Sequence, residues 1–264
     1  MIDLHVHSKF SDGSNTIEEI IEQAKELNLK QIAITDHNNL EGSILAHQLA
    51  EDLTVVGCEL SVGYQDNELH LLGYFPKDSD YKNTSYIIKL GEINKSVATA
   101  EMVERLNEAG YSFKLNELSE FGSGTINRVH ICRCLMKHGY ISSVAEGFEK
   151  LVGDNCFAYV KREYVAIDMA SKAIKDDGGI AVLAHPYNYK QIKNIEKLLD
   201  DNLNYIDGIE CYHYSANKQQ SEMLRQYALA HHKIITGGSD YHGVNKPNVF
   251  LNMMEVDDKY QLSR

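Results

Sequence analysis

Residues 1 to 14 read Met1-Ile-Asp-Leu-His-Val-His-Ser-Lys-Phe-Ser-Asp-Gly-Ser14. Apolar and polar side chains alternate from Ile2 to His7, which is the two-residue period of a half-buried β-strand. His5 and His7 therefore leave the strand on the same face and can converge on one point. Asp12 follows in a turn rich in Ser, Asp and Gly. A lone His-x-His pair on a strand is equally typical of two histidines that are simply hydrogen-bonded and of two metal ligands. This stretch alone therefore leaves both interpretations open.

Length and composition indicate an ordinary globular chain. Its 264 residues fit one large domain or one domain with an insertion, and 43% hydrophobic residues suffice for a sizeable core. The net charge of −12 argues against broad binding to a nucleic-acid backbone, so we expect no long duplex as partner. No apolar run reaches the roughly 18 to 20 residues of a membrane helix. A small phosphorylated substrate is compatible with this charge, because bound metal cations can invert the local field.

The cysteines are five in number and form no C-x-x-C pair, and the chain starts in a strand without a signal peptide. This pattern predicts reduced, mostly buried thiols and a cytoplasmic location. Cys132 and Cys134 are two residues apart on a predicted helix, where side chains point to different faces, so they are not expected to form a metal pair.

The order of predicted elements indicates an α/β fold with an insertion. Residues 1–76 alternate strands and helices, the rhythm of a parallel sheet or barrel, and residues 155–264 resume it. Residues 77–154 show only helical patterns and are predicted to form an all-helical insertion. A coiled-coil arm within this segment is the alternative, but its apolar spacing holds no long heptad.

Polar side chains collect where the predicted strands end. They are His5, His7, Asp36, His37, Glu59, His70, His185, Asp240 and His242. Such residues are seldom buried without a partner, so packing does not explain their repeated position. The strand ends of an α/β barrel form one shared mouth, and imidazole together with carboxylate suits Zn, Mn or Fe(II).

Six short motifs occur in a fixed order along the chain. They are D-L-H-x-H-S-x-x-S-D-G (Asp3 to Gly13), T-D-H (Thr35 to His37), G-x-E (Gly57 to Glu59), H-L-L-G-Y (His70 to Tyr74), A-H-P (Ala184 to Pro186) and G-S-D-x-H-G (Gly238 to Gly243). Together they resemble the polymerase-and-histidinol-phosphatase (PHP) family of metal-dependent phosphoesterases. The helical segment is similar to the subgroup that removes phosphate from nucleotides such as AMP and 3′,5′-bisphosphates, some members of which trim short oligoribonucleotides from the 5′ end.

The resemblance implies a distorted (β/α)7 barrel with three divalent metal ions, Mn, Fe or Zn. By position in the motifs, the first metal would be held by His5, His7, Glu59 and Asp240. The second would share Glu59 and add His70 and His185, and the third would take Asp12, His37 and His242. A hydroxide bridging two metals would attack the ester, since metal binding lowers the pKa of water from 15.7 to roughly 7. Asp36 is expected to orient a ligand or the turn.

Arg128 and His130 lie in a segment that resembles a phosphate-binding stretch of the same subgroup. Asn127 stands where that pattern has glycine, which leaves the local geometry open. At a helix N-terminus both side chains can reach an anion, aided by free backbone N–H groups. The alternative is a solvated arginine and a capping histidine.

Further substrate contacts are possible at two other places. His213 or Tyr212 follows a strand and would face the mouth, stacking on a base or touching phosphate. Lys161 and Arg162 lie where the chain re-enters the barrel and would either meet a second phosphate or form a solvated basic pair.

The leading hypothesis is a metal-dependent phosphatase acting on a small phosphorylated metabolite, most readily a nucleotide. Histidinol phosphate is the alternative substrate. An amidohydrolase would also begin its barrel with His-x-His, but it usually needs a bridging lysine at a middle strand end, and no predicted strand ends in lysine. The third hypothesis is a non-catalytic metal-binding regulatory module.

Overall fold

A computed structural model describes residues 1–121 and 126–262. The chain divides into two compact units, one formed by Met1–Ile88 with Val165–Arg264 and the other by Lys89–Tyr164. These divisions lie at 88/89 and 164/165, whereas the sequence placed them at 76/77 and 154/155. Residues 77–88 belong to the first unit because the Asp177 carboxylate accepts hydrogen bonds from the backbone N–H groups of Asn83 (3.1 Å) and Thr84 (2.7 Å).

The first unit contains eight strands and the helices that cover them. The strands are β1 Ile2–Val6, β2 Gln31–Ile34, β3 Thr54–Tyr64, β4 Asn67–Phe75, β5 Val165–Ala166, β6 Ile180–Leu183, β7 Gly208–Tyr212 and β8 Ile234–Gly237. The α-helices within the described residues are α1 Ile17–Glu26, α2 Glu41–Leu49, α3 Lys82–Glu108, α4 Arg128–Lys137, α5 Val144–Gly147, α6 Ile167–Asp176, α7 Ile195–Asn202 and α8 Lys218–Ala230.

The strands form one sheet in the order β1-β2-β3-β4-β6-β7-β8, with β5 paired to β3. The pairs β1–β2 and β2–β3 are parallel, as the sequence predicts, but β4 is antiparallel to both β3 and β6. The departure follows from the connection: only Gln65 and Asp66 separate β3 from β4, and two residues suffice for a hairpin but not for a parallel crossover.

The ends of the sheet meet where β1 passes the segment after β8. Tyr241 accepts a hydrogen bond from the backbone N–H of His7 (2.8 Å), and the N–H of Asp240 donates to the carbonyl of His5 (2.8 Å). The result is a nearly closed barrel of seven mixed strands, which confirms the predicted α/β barrel. These two bonds also bring the first and last motifs of the chain side by side.

Every residue of β1 is buried, so the predicted half-buried strand is wrong. Ile2 and Leu4 pack with Val55, Leu72 and Val182 in one apolar cluster. The polar face of the strand is buried as well, because the other strand ends of the barrel converge on it.

The helical unit has a core of its own. Leu106 from α3 packs with Ile131 and Leu135 from α4 and with Leu118. Leu118 lies in Leu115–Phe121, which is a 3₁₀-helix, and Phe148–Val152 forms a π-helical turn after α5. All five cysteines of the chain are free thiols. Within residues 1–121 and 126–262, no helix is long and apolar enough to cross a membrane.

Candidate metal centre

The strand ends of the barrel bring nine predicted metal-binding side chains into four overlapping groups. Within each group, one donor atom per residue lies within 4.8 Å of the others. The groups are His7, Asp12, His37 and His242; His5, Glu59 and His185; His5, His7 and Asp240; and His37, Glu59 and His70. Because His5, His7, His37 and Glu59 each belong to two groups, the nine side chains form one continuous cluster.

Glu59 is the common contact of this cluster. Its Oε1 lies 2.8 Å from Nδ1 of His70 and 2.9 Å from Nε2 of His185. Its Oε2 faces three other rings, at 3.4 Å from His5, 3.2 Å from His7 and 3.0 Å from His37. The two oxygens of this one carboxylate therefore contact two different sets of histidines.

The electrostatics of the cluster follow from burial and from Glu59. Burial opposes ionisation of Glu59, but the surrounding histidines, His70 foremost, hold its pKa well below the usual range. Burial also opposes charging of His70, yet the Glu59 carboxylate raises the pKa of this histidine to about 10. His37 behaves oppositely, since burial lowers its pKa to about 3. Neutral and charged imidazoles thus surround one buried anion.

The donor set fits divalent transition metals. The rings are crowded, with centroids 4.1 Å apart for His7 and His242 and 4.5 Å apart for His7 and His37. Nδ1 of His185 is buried and has no hydrogen-bond partner among the described residues. Zn, Mn and Fe all bind imidazole nitrogen and carboxylate oxygen. These atoms bind a cation in their deprotonated form, so a bound metal ion takes the place of protons in pairing with them.

Asp12 lies at the open side of the cluster, 3.2 Å from Nε2 of His242 and 3.6 Å from Nδ1 of His7. Asp36 lies behind it and accepts hydrogen bonds from the backbone N–H of Ser8 (2.8 Å) and from the hydroxyl of Ser11 (2.6 Å). Asp36 therefore holds the turn that carries Asp12.

Two glycines permit the close approach of these loops. A Cβ on Gly13 would lie 2.3 Å from the carbonyl oxygen of His7, and one on Gly238 would lie 2.4 Å from Cβ of His5. Both distances are shorter than van der Waals contact, so no larger side chain fits without moving the motif. The glycines of the first and last motifs thus have a packing role.

Asp240 is held on its other side by residues outside the predicted ligand set. Its Oδ2 accepts hydrogen bonds from Nζ of Lys246 (2.7 Å) and from Nε2 of His213 (3.3 Å). His213 is buried, and its Nδ1 contacts the hydroxyl of Ser215 at 2.7 Å. Its predicted substrate contact stays a prediction. Lys246 was not predicted, because a single lysine in a loop forms no pattern.

Two further buried carboxylates at the site were also missed. Asp3 accepts hydrogen bonds from the backbone N–H groups of Ser239 (2.8 Å) and Asn252 (2.7 Å), and Glu210 contacts the ring of His5 (2.9 Å). Asp3 lies in β1 and Glu210 in β7, and a carboxylate within a mostly apolar strand is the sequence signal that could have indicated them. Tyr212, the other candidate of that segment, contacts Tyr260.

The predicted phosphate-binding residues Arg128 and His130 lie in the helical unit. Arg128 donates to the carboxylate of Asp154 (2.6 Å), and its guanidinium lies 5.2 Å from the ring centroid of Phe148. Asn127 caps α4 through its side chain, together with His130. An N-cap asparagine explains why this position does not need glycine. Lys161 and Arg162 belong to the same unit.

Comparison with known proteins agrees with the motifs and the fold. The PHP domain model matches residues 3–228. A 5′-3′ exoribonuclease from Haemophilus influenzae is 27% identical over 246 residues, which cover 91% of this chain and 89% of the relative. A phosphoribosyl 1,2-cyclic phosphate 1,2-diphosphodiesterase from Eggerthella lenta is 29% identical over 249 residues (91% and 94%). A 3′,5′-nucleoside bisphosphate phosphatase from Chromobacterium violaceum is 28% identical over 250 residues (91% and 87%).

A solved structure supports the same assignment. A protein from Bifidobacterium adolescentis, classed among the metal-dependent phosphoesterases, superposes with a TM-score of 0.76 at 27% identity and covers 98% of this chain and 93% of its own. The family model spans well over half of the 264 residues. The chain therefore belongs to the PHP domain family of metal-dependent phosphoesterases.

Proposed function

We propose that the protein hydrolyses a phosphate monoester of a nucleotide, AMP or a 3′,5′-nucleoside bisphosphate, and so releases phosphate, and that short oligoribonucleotides are further substrates. The main support for the proposal is the cluster around Glu59, whose two oxygens contact separate sets of histidines. The relatives named for nucleotide bisphosphates and for RNA support the nucleotide as substrate class.

Three divalent ions, Mn, Fe or Zn, fit the cluster. Oε2 of Glu59, with His5, His7 and Asp240, would hold the first, and Oε1 with His70 and His185 the second. Asp12, His37 and His242 would hold the third, since the Asp12 carboxylate contacts both rings. When bound, such ions lower the pKa of a coordinated water and neutralise phosphoryl charge.

The residues of the chain contribute orientation and charge. Asp36 fixes the turn of Asp12, and Lys246 and His213 fix Asp240. Arg128 and His130, at the N-terminus of α4, would bind phosphate, and His213 would contact the substrate. The five free thiols fit the reducing cytoplasm that the sequence predicts.

A screen for ester hydrolysis tests the proposed substrate: inorganic phosphate is measured for the monoesters, and the organic products are separated by chromatography for the RNA and the cyclic phosphate, whose first cleavage releases no inorganic phosphate. The purified protein is incubated with Mn(II) and with AMP, a 3′,5′-bisphosphate, 5′-phosphorylated short RNA, phosphoribosyl 1,2-cyclic phosphate or histidinol phosphate. We expect release from AMP or the bisphosphate with the highest kcat/KM. Release from histidinol phosphate alone would overturn the nucleotide assignment, and cleavage of the cyclic phosphate alone would make the protein a diesterase. Metal binding without hydrolysis of any of these esters would favour the regulatory module.

Arg128→Ala is expected to raise KM about 10- to 100-fold with a smaller change in kcat. A hydrogen bond to a charged group contributes about 1.5–3 kcal/mol, and loss of the guanidinium removes such a bond to phosphate. Steady-state kinetics on the best substrate measure the effect. Arg133→Ala, an exposed arginine on the same helix, is the control and should leave KM unchanged. An unchanged KM in Arg128→Ala would remove this side chain from the site.

A further inference from the structure

Glu210 on β7 is a fully buried carboxylate whose two oxygens have different partners. Oε1 lies 2.9 Å from Nδ1 of His5, a residue of β1. Oε2 accepts a hydrogen bond of 2.8 Å from the backbone N–H of His185, which follows β6. One carboxylate thus contacts two of the predicted metal-binding histidines, and the two come from different strands.

We propose that Glu210 is a positioning residue of the metal centre, which sets the tautomer of His5 and the backbone of His185. The inference rests on the proposed metal centre. Glu210 itself lies outside the predicted ligand set, and its role is to present two ligands in the form that a cation requires. Carboxylates that accept the second N–H of a metal-bound histidine act in this way in other metalloproteins.

The hydrogen bond to Glu210 fixes which ring nitrogen of His5 carries the proton. A neutral imidazole has one N–H donor and one acceptor nitrogen. An ionised carboxylate only accepts, so Nδ1 of His5 must carry the proton toward Glu210. Nε2 then carries no proton, and its lone pair is directed into the cluster, where it lies 3.1 Å from Nε2 of His7. Nε2 of His5 also lies 3.4 Å from Oε2 of Glu59 and 3.7 Å from Oδ1 of Asp240.

Glu210 contacts His185 through the backbone of that residue. This residue has φ 28° and ψ 63°, in the left-handed region that non-glycine residues rarely adopt. Oε2 of Glu210 engages its N–H, while Nε2 of its ring lies 2.9 Å from Oε1 of Glu59. The hydrogen bond that the His185 N–H donates to Glu210 therefore stabilises an unfavourable backbone conformation, which directs the ring toward the cluster.

Glu210→Gln separates this role from simple packing, because the two side chains have the same shape. The N–H of His185 can only donate, so the glutamine oxygen must stay on it. The glutamine NH₂ group then faces Nδ1 of His5 and can only donate. Nδ1 must accept, the ring proton moves to Nε2, and the nitrogen that should bind metal is blocked.

The test is binding of Mn(II), followed by the electron paramagnetic resonance signal of the free ion, which is independent of activity. We expect Glu210→Gln to bind Mn(II) about 10- to 100-fold more weakly than the unmodified protein. Activity should recover at high Mn(II), with KM for the substrate unchanged. Glu222→Gln, an exposed glutamate on α8, is the control and should bind Mn(II) normally. Equal affinity in Glu210→Gln and the unmodified protein would overturn the proposal.

Two further measurements keep the test decisive. In a His5→Ala background, Glu210→Gln should weaken Mn(II) binding less than it does alone, whereas fully additive losses would overturn the His5 part. If Glu210→Gln does not fold, nitrogen NMR of the Zn(II)-loaded unmodified protein replaces it: Nδ1 of His5 should carry a proton, and a bare Nδ1 would contradict the proposal. Failure of the unmodified protein to bind any Mn(II) would overturn the proposed metal centre itself, a different outcome.

Discussion

Glu59→Gln is expected to lower kcat for phosphate release by about 1,000-fold or more. Substitution of residues that only hydrogen-bond to metal ligands typically lowers activity by about 10- to 100-fold, and loss of a ligand should have a larger effect. Glu59 is buried and ionised, and five histidine rings lie within 3.4 Å of its two oxygens. Glutamine has the same shape but carries no charge, and its NH₂ group cannot bind a cation. The metal ions bound by the two sets of histidines would therefore lose the anionic ligand that they share.

The measurement is steady-state kinetics at saturating Mn(II), together with elemental analysis of the dialysed protein. Glu59→Gln should retain less metal than the unmodified protein, whereas Glu22→Gln, an exposed glutamate on α1, should match it in both kcat and metal content. A kcat within tenfold of normal in a folded Glu59→Gln protein would contradict a central role for this carboxylate.

Removal of divalent ions with a chelator is expected to abolish activity and to lower the melting temperature. Six histidines and three carboxylates are packed together in the folded chain, and the unfolded chain does not hold them close enough to bind a cation, so bound cations stabilise the folded state. A ligand present at 100 times its Kd stabilises the folded state by about 2.7 kcal/mol per site. For a domain of this size, 1 kcal/mol corresponds to roughly 2–4 °C. We therefore expect a loss on the order of 5–10 °C for each site that is emptied.

Thermal unfolding followed by circular dichroism, before and after chelation, measures the shift. Adding back Mn(II) should restore both the melting temperature and phosphate release, and Mg(II), which prefers oxygen ligands, should restore them poorly. Full activity in protein shown by elemental analysis to be free of metal would exclude a metal-dependent mechanism.

The sequence predicted the members of the cluster because strand ends are visible as apolar runs that stop at a polar residue. His37 after β2 and His185 after β6 follow this rule, and the motifs supplied the remaining positions. The α/β class followed from the alternation of strands and helices, which fits a parallel sheet or a barrel, and the resemblance to the PHP family implied the barrel. These features are local, and a local pattern is what a single sequence contains.

Other features depend on contacts between distant residues and left no local pattern. The boundary of the first unit follows from the bonds of Asp177 to Asn83 and Thr84. The antiparallel course of β4 is different, because it follows from the local two-residue turn between β3 and β4. Glu210 lies far along the chain from His5, and Lys246, although only six residues from Asp240, is a single lysine in a loop that forms no pattern. Their roles became visible only when the fold brought them to His5 and Asp240.

Diffraction from Zn(II)-loaded crystals at the zinc absorption edge tests the central claim most directly, because it locates the cations themselves. We predict anomalous peaks inside the cluster of nine side chains, about 2.0–2.2 Å from imidazole nitrogens and carboxylate oxygens. One peak should contact each oxygen of Glu59, and another should lie against Asp12 and His242. Peaks elsewhere in the protein, with none at Glu59 despite bound zinc in solution, would contradict the account.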